Sequence, residues 1–254
     1  MSARRERKAR FVLVHGLYTS RTMWRPQHIA LREAGFAVAI PDLPGHGKRI
    51  GEPFDLEHAI AAIDEAVRGL RSPRLGGPGP VILVGLSLGG YLAMEYAGRH
   101  PDRIDGLIPM ACSTRPSSYR ALGVTMYRGL TNALNRLPDR GLSVDLAVQR
   151  LVGGKPAARA FLAGGYGIDA ALDAVAVVAE LDPLASLRVV AEARLPTWFV
   201  NGELDQMRLE QRVFAEAAGG AWRTLVPGAP HMVNLAAPRT VSRLLVMAGR
   251  AASW

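Results

Sequence analysis

The apolar run Val81-Ile-Leu-Val84 passes through Gly85-Leu86-Ser87-Leu88-Gly89 straight into a helical segment, Leu88 to Arg99, that stops before Pro101. A short β-rich run feeding a helix is one βα step, and the same step recurs along the chain. Phe11-Val-Leu-Val14, Phe36 to Ile40, Ile104 to Met110, Thr197 to Val200 and Arg223 to Val226 read as further strands. Trp24 to Ala34, stopped by Gly35, reads as a helix, as do Leu56 to Leu70 and Pro238 to Ala248. In the second of these, Ile60, Ile63, Val67 and Leu70 share one face. Strands that are apolar on both faces and alternate with helices predict an α/β fold, with a mainly parallel central sheet covered on each side.

The rhythm breaks between Ser113 and Val190. That stretch offers helical segments at Tyr119–Leu137, Val144–Val152, Ala157–Ala163 and Ala170–Leu181, and no convincing strand. A helical block between two strands of one sheet is an insertion, so residues 1–112 and 191–254 are assigned to the core and 113–190 to an inserted helical domain.

Several classes fall away. The one cysteine, Cys112, rules out an intramolecular disulfide and a multi-cysteine zinc site. The charge-free run Leu75–Met94 is long enough to span a bilayer but carries six glycines and two prolines, too many for a lipid-facing helix. Arg4, Arg5, Arg7, Lys8 and Arg10 could imitate a signal sequence, yet the apolar stretch behind them, Phe11 to Val14, is far shorter than the roughly 7–15 residues a signal needs. A cytoplasmic protein with no membrane partner is expected. The net charge of +9 is mostly scattered arginine with no interleaved aromatic platform, so nucleic acid is not an expected partner; a basic surface could instead steer an anionic substrate.

The chemistry concentrates around Ser87. A serine on a sharp strand-to-helix turn is held proud of the sheet at the positive end of the following helix, and its glycine neighbours avoid clashing with the strained backbone. The pentapeptide alone arises by chance; the strand–helix context gives it meaning. A serine nucleophile needs a base and an acid to orient it. Of six histidines, His28, His58 and His100 sit in helical contexts, and His15 and His46 in strand-end turns. His231 lies in the loop Pro227-Gly-Ala-Pro-His-Met-Val-Asn234 after the last strand, at the sheet edge where α/β proteins bind ligands, and is the best base. Asp205, just past the strand Trp198-Phe-Val200, is the favoured acid, with Glu203 the main rival and Asp182 a weaker one. Two N–H donors for an oxyanion are expected from Leu88, after the serine, and Leu17, in the loop after the first strand. Tyr18, Cys112 and Met232 neighbour these elements and are expected to line a substrate pocket, although each also suits plain packing.

Taken together, Val-His-Gly (14–16), Asp-Leu-Pro-Gly-His-Gly (42–47), Gly-Leu-Ser-Leu-Gly-Gly (85–90), Asn-Gly-Glu-Leu-Asp (201–205) and Pro-His-Met (230–232) resemble the α/β-hydrolase superfamily. The resemblance covers both core segments and implies that 113–190 is the superfamily's helical cap, or lid. Lys48 stands where members often carry a serine, at a position that is not catalytic. The chain's start and its Gly-Ala-Pro-His-Met segment also look like plant methylesterases and hydroxynitrile lyases; Met232, in place of the lyases' lysine, argues against cyanohydrin cleavage. Ser87 excludes the aspartate chemistry of dehalogenases.

The resemblance implies a carboxylic ester hydrolase working on a small-molecule acyl substrate through an acyl-enzyme, without metal or organic cofactor. A thioesterase or acyltransferase, or a lactonase, would use the same residues. A non-catalytic ligand-binding member of the fold is the alternative from another class, since fold does not determine function.

Overall fold

The computed structural model describes residues 8–72, 79–116, 155–165 and 170–253. The helices expected at Tyr119–Leu137 and Val144–Val152 and the basic positions Arg4, Arg5 and Arg7 lie outside those residues. In chain order the elements are β1 (Arg10–Val14), α1 (Arg25–Glu33), β2 (Ala37–Ala39), α2 (Leu56–Leu70), β3 (Val81–Leu86), α3 (Leu88–Arg99), β4 (Gly106–Met110), α4 (Lys155–Leu162), α5 (Ala171–Glu180), α6 (Pro183–Glu192), β5 (Trp198–Gly202), α7 (Gln211–Ala217), β6 (Trp222–Val226), α8 (Val233–Ala236) and α9 (Pro238–Ala252). The six strands form one sheet in the order β2-β1-β3-β4-β5-β6, and every pairing is parallel.

Parallel strands need helical crossovers, and those crossovers cover both faces, which is why the inner strands β1, β3 and β4 are buried along their whole length and largely apolar. Alternate residues of β1 divide between two cores. Val12 and Val14 join Ile63, Leu92, Tyr96, Leu187 and Phe214 on one face, while Phe11 and Leu13 join Trp24, Leu31, Val241 and Leu245 on the other. All of these are fully buried, each contributing about 1.5–3 kcal/mol for its aliphatic or aromatic surface.

Local signals set the boundaries. Asp55 caps α2 by accepting the His58 N–H. At the end of α1, Phe36 N–H donates to Leu31 O and Gly35 N–H to Arg32 O, a Schellman closure that draws Phe36 out of the adjoining strand and shortens β2 to Ala37–Ala39. Helix α6 was not separated from the helical block by sequence. It begins at Pro183 behind Asp182, whose carboxylate accepts the N–H of Leu184 and Ala185. It crosses position 190 and packs on α3, where Ser186 Oγ donates to Glu95 at 3.0 Å. Among the described residues no helix is long and apolar enough to cross a membrane.

The strand order places the functional end. The chain moves outward from β1 to β2, then returns past β1 to β3, so the crevice outside the C-terminal ends of β1 and β3 is the topological switch point. The loop carrying Gly16 to Ser20 and the turn carrying Ser87 both open there.

Candidate active site

Ser87 follows β3 with φ 55° and ψ −117°, a strained combination for a residue with a side chain. Its N–H donates to Met110 O, and its carbonyl accepts from Gly90 and Tyr91, so the turn is held from both sides. The flanking glycines are there for space. A Cβ on Gly85 would lie 2.1 Å from Gly89 O, and one on Gly89 would lie 2.4 Å from Val14 O. These are backbone atoms that no rotamer change can move, so the sharp turn and the close approach of α3 to β1 require glycine at both positions.

His231 reaches the serine from the loop after β6. Its Nε2 lies 2.9 Å from Ser87 Oγ, and its Nδ1 lies 2.9 Å from Asp205 Oδ1. Asp205 is buried, and the same oxygen accepts the Met207 N–H at 2.8 Å. Because the carboxylate accepts at Nδ1, Nε2 is left to accept the serine proton. The rival acids are occupied elsewhere. Glu203 Oε2 accepts the Gly228 N–H and its side chain is exposed, while Asp182 caps α6. Glu203 thereby pins the loop that presents His231, assisted by Leu204 N–H donating to Ala229 O.

The loop after β1 lies beside the serine: a Cβ built on Gly16 would be 3.6 Å from Ser87 Cβ. Among the described residues no acceptor takes the N–H of Leu17 or Leu88. Leu88 opens α3, where an unpaired N–H is the rule at a helix start. Of the three pocket candidates, Tyr18 is half-buried with φ 62°. Met232 is buried in a cluster with Ala158 and Phe161 of α4. Cys112 is fully buried, in the space left by the missing side chain of Gly90; burial and the nearby Asp205 charge push its thiol well above the ordinary range.

Asn201 has a positioning role that its type alone did not reveal. Buried at the end of β5, it accepts the Ala111 N–H at 3.1 Å and approaches Ser113 Oγ and Gln211 Oε1 at 3.3 Å. Ser113 N–H in turn donates to Met207 O. This network ties the ends of β4 and β5 together next to Asp205. A buried asparagine at a strand end was the available signal.

His15 and His46 form a buried pair, their rings 5.2 Å apart. His15 donates from Nδ1 to Gly16 O and accepts the Leu43 N–H at Nε2, while His46 donates from Nδ1 to Pro44 O. Burial, reinforced by His46, pulls the His15 pKa down to about 3 against the favourable charge of Asp42, and burial lowers His46 as well. In the unfolded chain these histidines take up protons near 6.5, whereas folded His15 refuses one until about 3. Acid therefore favours unfolding. Between pH 6.5 and 5, His15 alone should cost about 1.5 kcal/mol, the slope approaching about 1.4 kcal/mol per pH unit as the unfolded imidazole becomes fully protonated. Urea titrations should show that decline, and a shallower one in His15→Gln; equal slopes would remove the pair from the account.

The profile of the alpha/beta hydrolase family matches residues 11–244, and the chain belongs to that family. Among curated proteins it is similar to a pimeloyl-(acyl-carrier protein) methyl ester esterase of Neisseria meningitidis, 33% identical over 122 residues, which cover 45% of this chain and 43% of that protein. A protein of the same name from Pseudoalteromonas atlantica is 26% identical over 243 residues, 87% of this chain and 86% of that one. The first curated relatives are matched over less than half of their own length. Among solved structures, a thermophilic esterase from Thermogutta terrifontis superimposes with a TM-score of 0.71 at 25% identity, covering 97% of this chain and 91% of that one.

Proposed function

We propose that the protein is a serine hydrolase that cleaves a carboxylic ester of a small acyl substrate. Ser87 Oγ attacks the acyl carbonyl while His231 Nε2 takes its proton. Asp205 holds the imidazole in the required tautomer and stabilises its charged form. The N–H groups of Leu17 and Leu88 receive the developing oxyanion. His231 then returns the proton to the leaving alcohol, and a water that it activates releases the acid from the serine. No step calls for a metal or organic cofactor.

One observation carries this reading: the unbroken series Asp205 Oδ1, His231 Nδ1, His231 Nε2, Ser87 Oγ, with both gaps at 2.9 Å. The names of the two methyl ester esterases support the ester linkage. We assign residues 113–190 to a cap on the same reading, supported by α4, whose Phe161 O accepts the Thr19 hydroxyl beside the proposed oxyanion loop.

The test is hydrolysis of p-nitrophenyl esters from acetate to laurate. Turnover with a defined optimum along that series is expected, the optimum measuring the acyl pocket. No turnover on any of these esters, nor on the matching thioesters and lactones, would overturn the proposal in favour of a binding protein.

A further inference from the structure

The sheet ends at β6, and among the described residues nothing pairs with its outer side. Trp222 N–H donates to Thr197 O, and Val226 O accepts the Glu203 N–H. Residues 222, 224 and 226 therefore turn their peptide groups toward β5, leaving the N–H and C=O of Arg223 and Leu225 facing outward. Such an edge is a template for a further strand.

Both flanks of this edge are grooved, one predominantly apolar and one carrying two arginines, with Trp222 and Arg223 shared between them. On the face shared with α9, a cleft of about 830 Å³ is walled by Ile108, Trp198, Trp222, Met247 and Ala251. Trp222 is 72% exposed and Met247 59%, unusual for side chains of that size and hydrophobicity. On the other face a groove of about 470 Å³ is lined by Gln211, Arg212, Arg223 and Leu225. Among the described residues neither arginine has an ion-pair partner.

We infer that β6 is a docking edge for an extended segment of another protein that alternates apolar and acidic side chains. Successive residues of an added strand point to opposite faces. One set would enter the tryptophan-lined cleft and the other would meet Arg212 and Arg223. Charge selects this occupant over a second copy of the chain, since self-pairing would bring both pairs of arginines onto one short edge between molecules of net charge +9.

The experiment uses the full chain and a fluorescein-labelled hexapeptide alternating phenylalanine and glutamate, followed by anisotropy. Its counterparts are the same peptide with lysine for glutamate and a glutamate version N-methylated at alternate amides. The glutamate peptide should bind at least about tenfold more tightly than the lysine peptide, Arg223→Glu should reverse that order, and N-methylation should abolish binding. Ester hydrolysis by Arg223→Glu should match that of the unaltered protein. Absence of binding, equal affinity for both charges, or insensitivity to N-methylation would overturn the inference. So would a concentration-dependent dimer that Arg223→Glu dissolves, because the edge would then belong to a second copy.

Discussion

Ser87→Ala is expected to abolish ester hydrolysis, lowering kcat by at least about 10⁴-fold while leaving the protein folded. On the proposed mechanism the loss is total, because the side chain supplies the atom that bonds to the acyl group. Cys112, the one other nucleophile of comparable reactivity in the sequence, is buried with a raised thiol pKa. Folding should survive because the turn is held by backbone bonds to Met110, Gly90 and Tyr91, none of which uses the serine hydroxyl. Rates on p-nitrophenyl esters and thermal unfolding measure the two halves of this expectation. Residual activity near the unaltered level would remove Ser87 from the mechanism.

Asp205→Asn should cost about 10⁴-fold in kcat, because an amide at that position can present its NH₂ to His231 and select the tautomer with Nε2 protonated, which cannot accept the serine proton. Glu203→Gln provides the comparison. Glu203 stands two residues away but bonds to Gly228 N–H, and a glutamine oxygen can accept the same bond. It should retain most activity, with any deficit traceable to a looser His231 loop. The ratio of the two variants on one ester separates an acid that orients the base from an acid that holds a turn. Equal losses would contradict the assignment.

The contrast between these carboxylates also marks where the sequence becomes illegible. Both follow β5 and both suit a turn; position and spacing favour Asp205 without fixing which carboxylate turns inward, and in three dimensions Glu203 bonds to Gly228 N–H while Asp205 faces His231. The alternation of strands and helices was legible because parallel strands must be apolar on both faces, and that pattern is local. The sharp turn that carries Ser87 is legible because Gly85 and Gly89 are forced by backbone approaches of 2.1 and 2.4 Å, a constraint that leaves its mark in residue type. Asn201 left a weaker mark, since its partners Ala111 and Gln211 are distant in sequence or fall on another element. The start of α6 was written locally as Asp182-Pro183, a cap followed by a first-turn proline, although the aspartate could equally be read as plain turn chemistry. Cys112 is expected at the pocket because it neighbours the catalytic elements, and its packing against the bare Cα of Gly90, on a different element, is not legible locally.

In the proposed mechanism Ser87 forms a covalent bond with the acyl group, drawing on His231 and Asp205. Treating the protein with a fluorophosphonate and mapping the adduct by mass spectrometry tests it most directly. A single phosphonylated site on the peptide containing Ser87, formed far more slowly in His231→Ala, is the predicted result. An active preparation that forms no adduct, or forms it at another residue, would contradict the account.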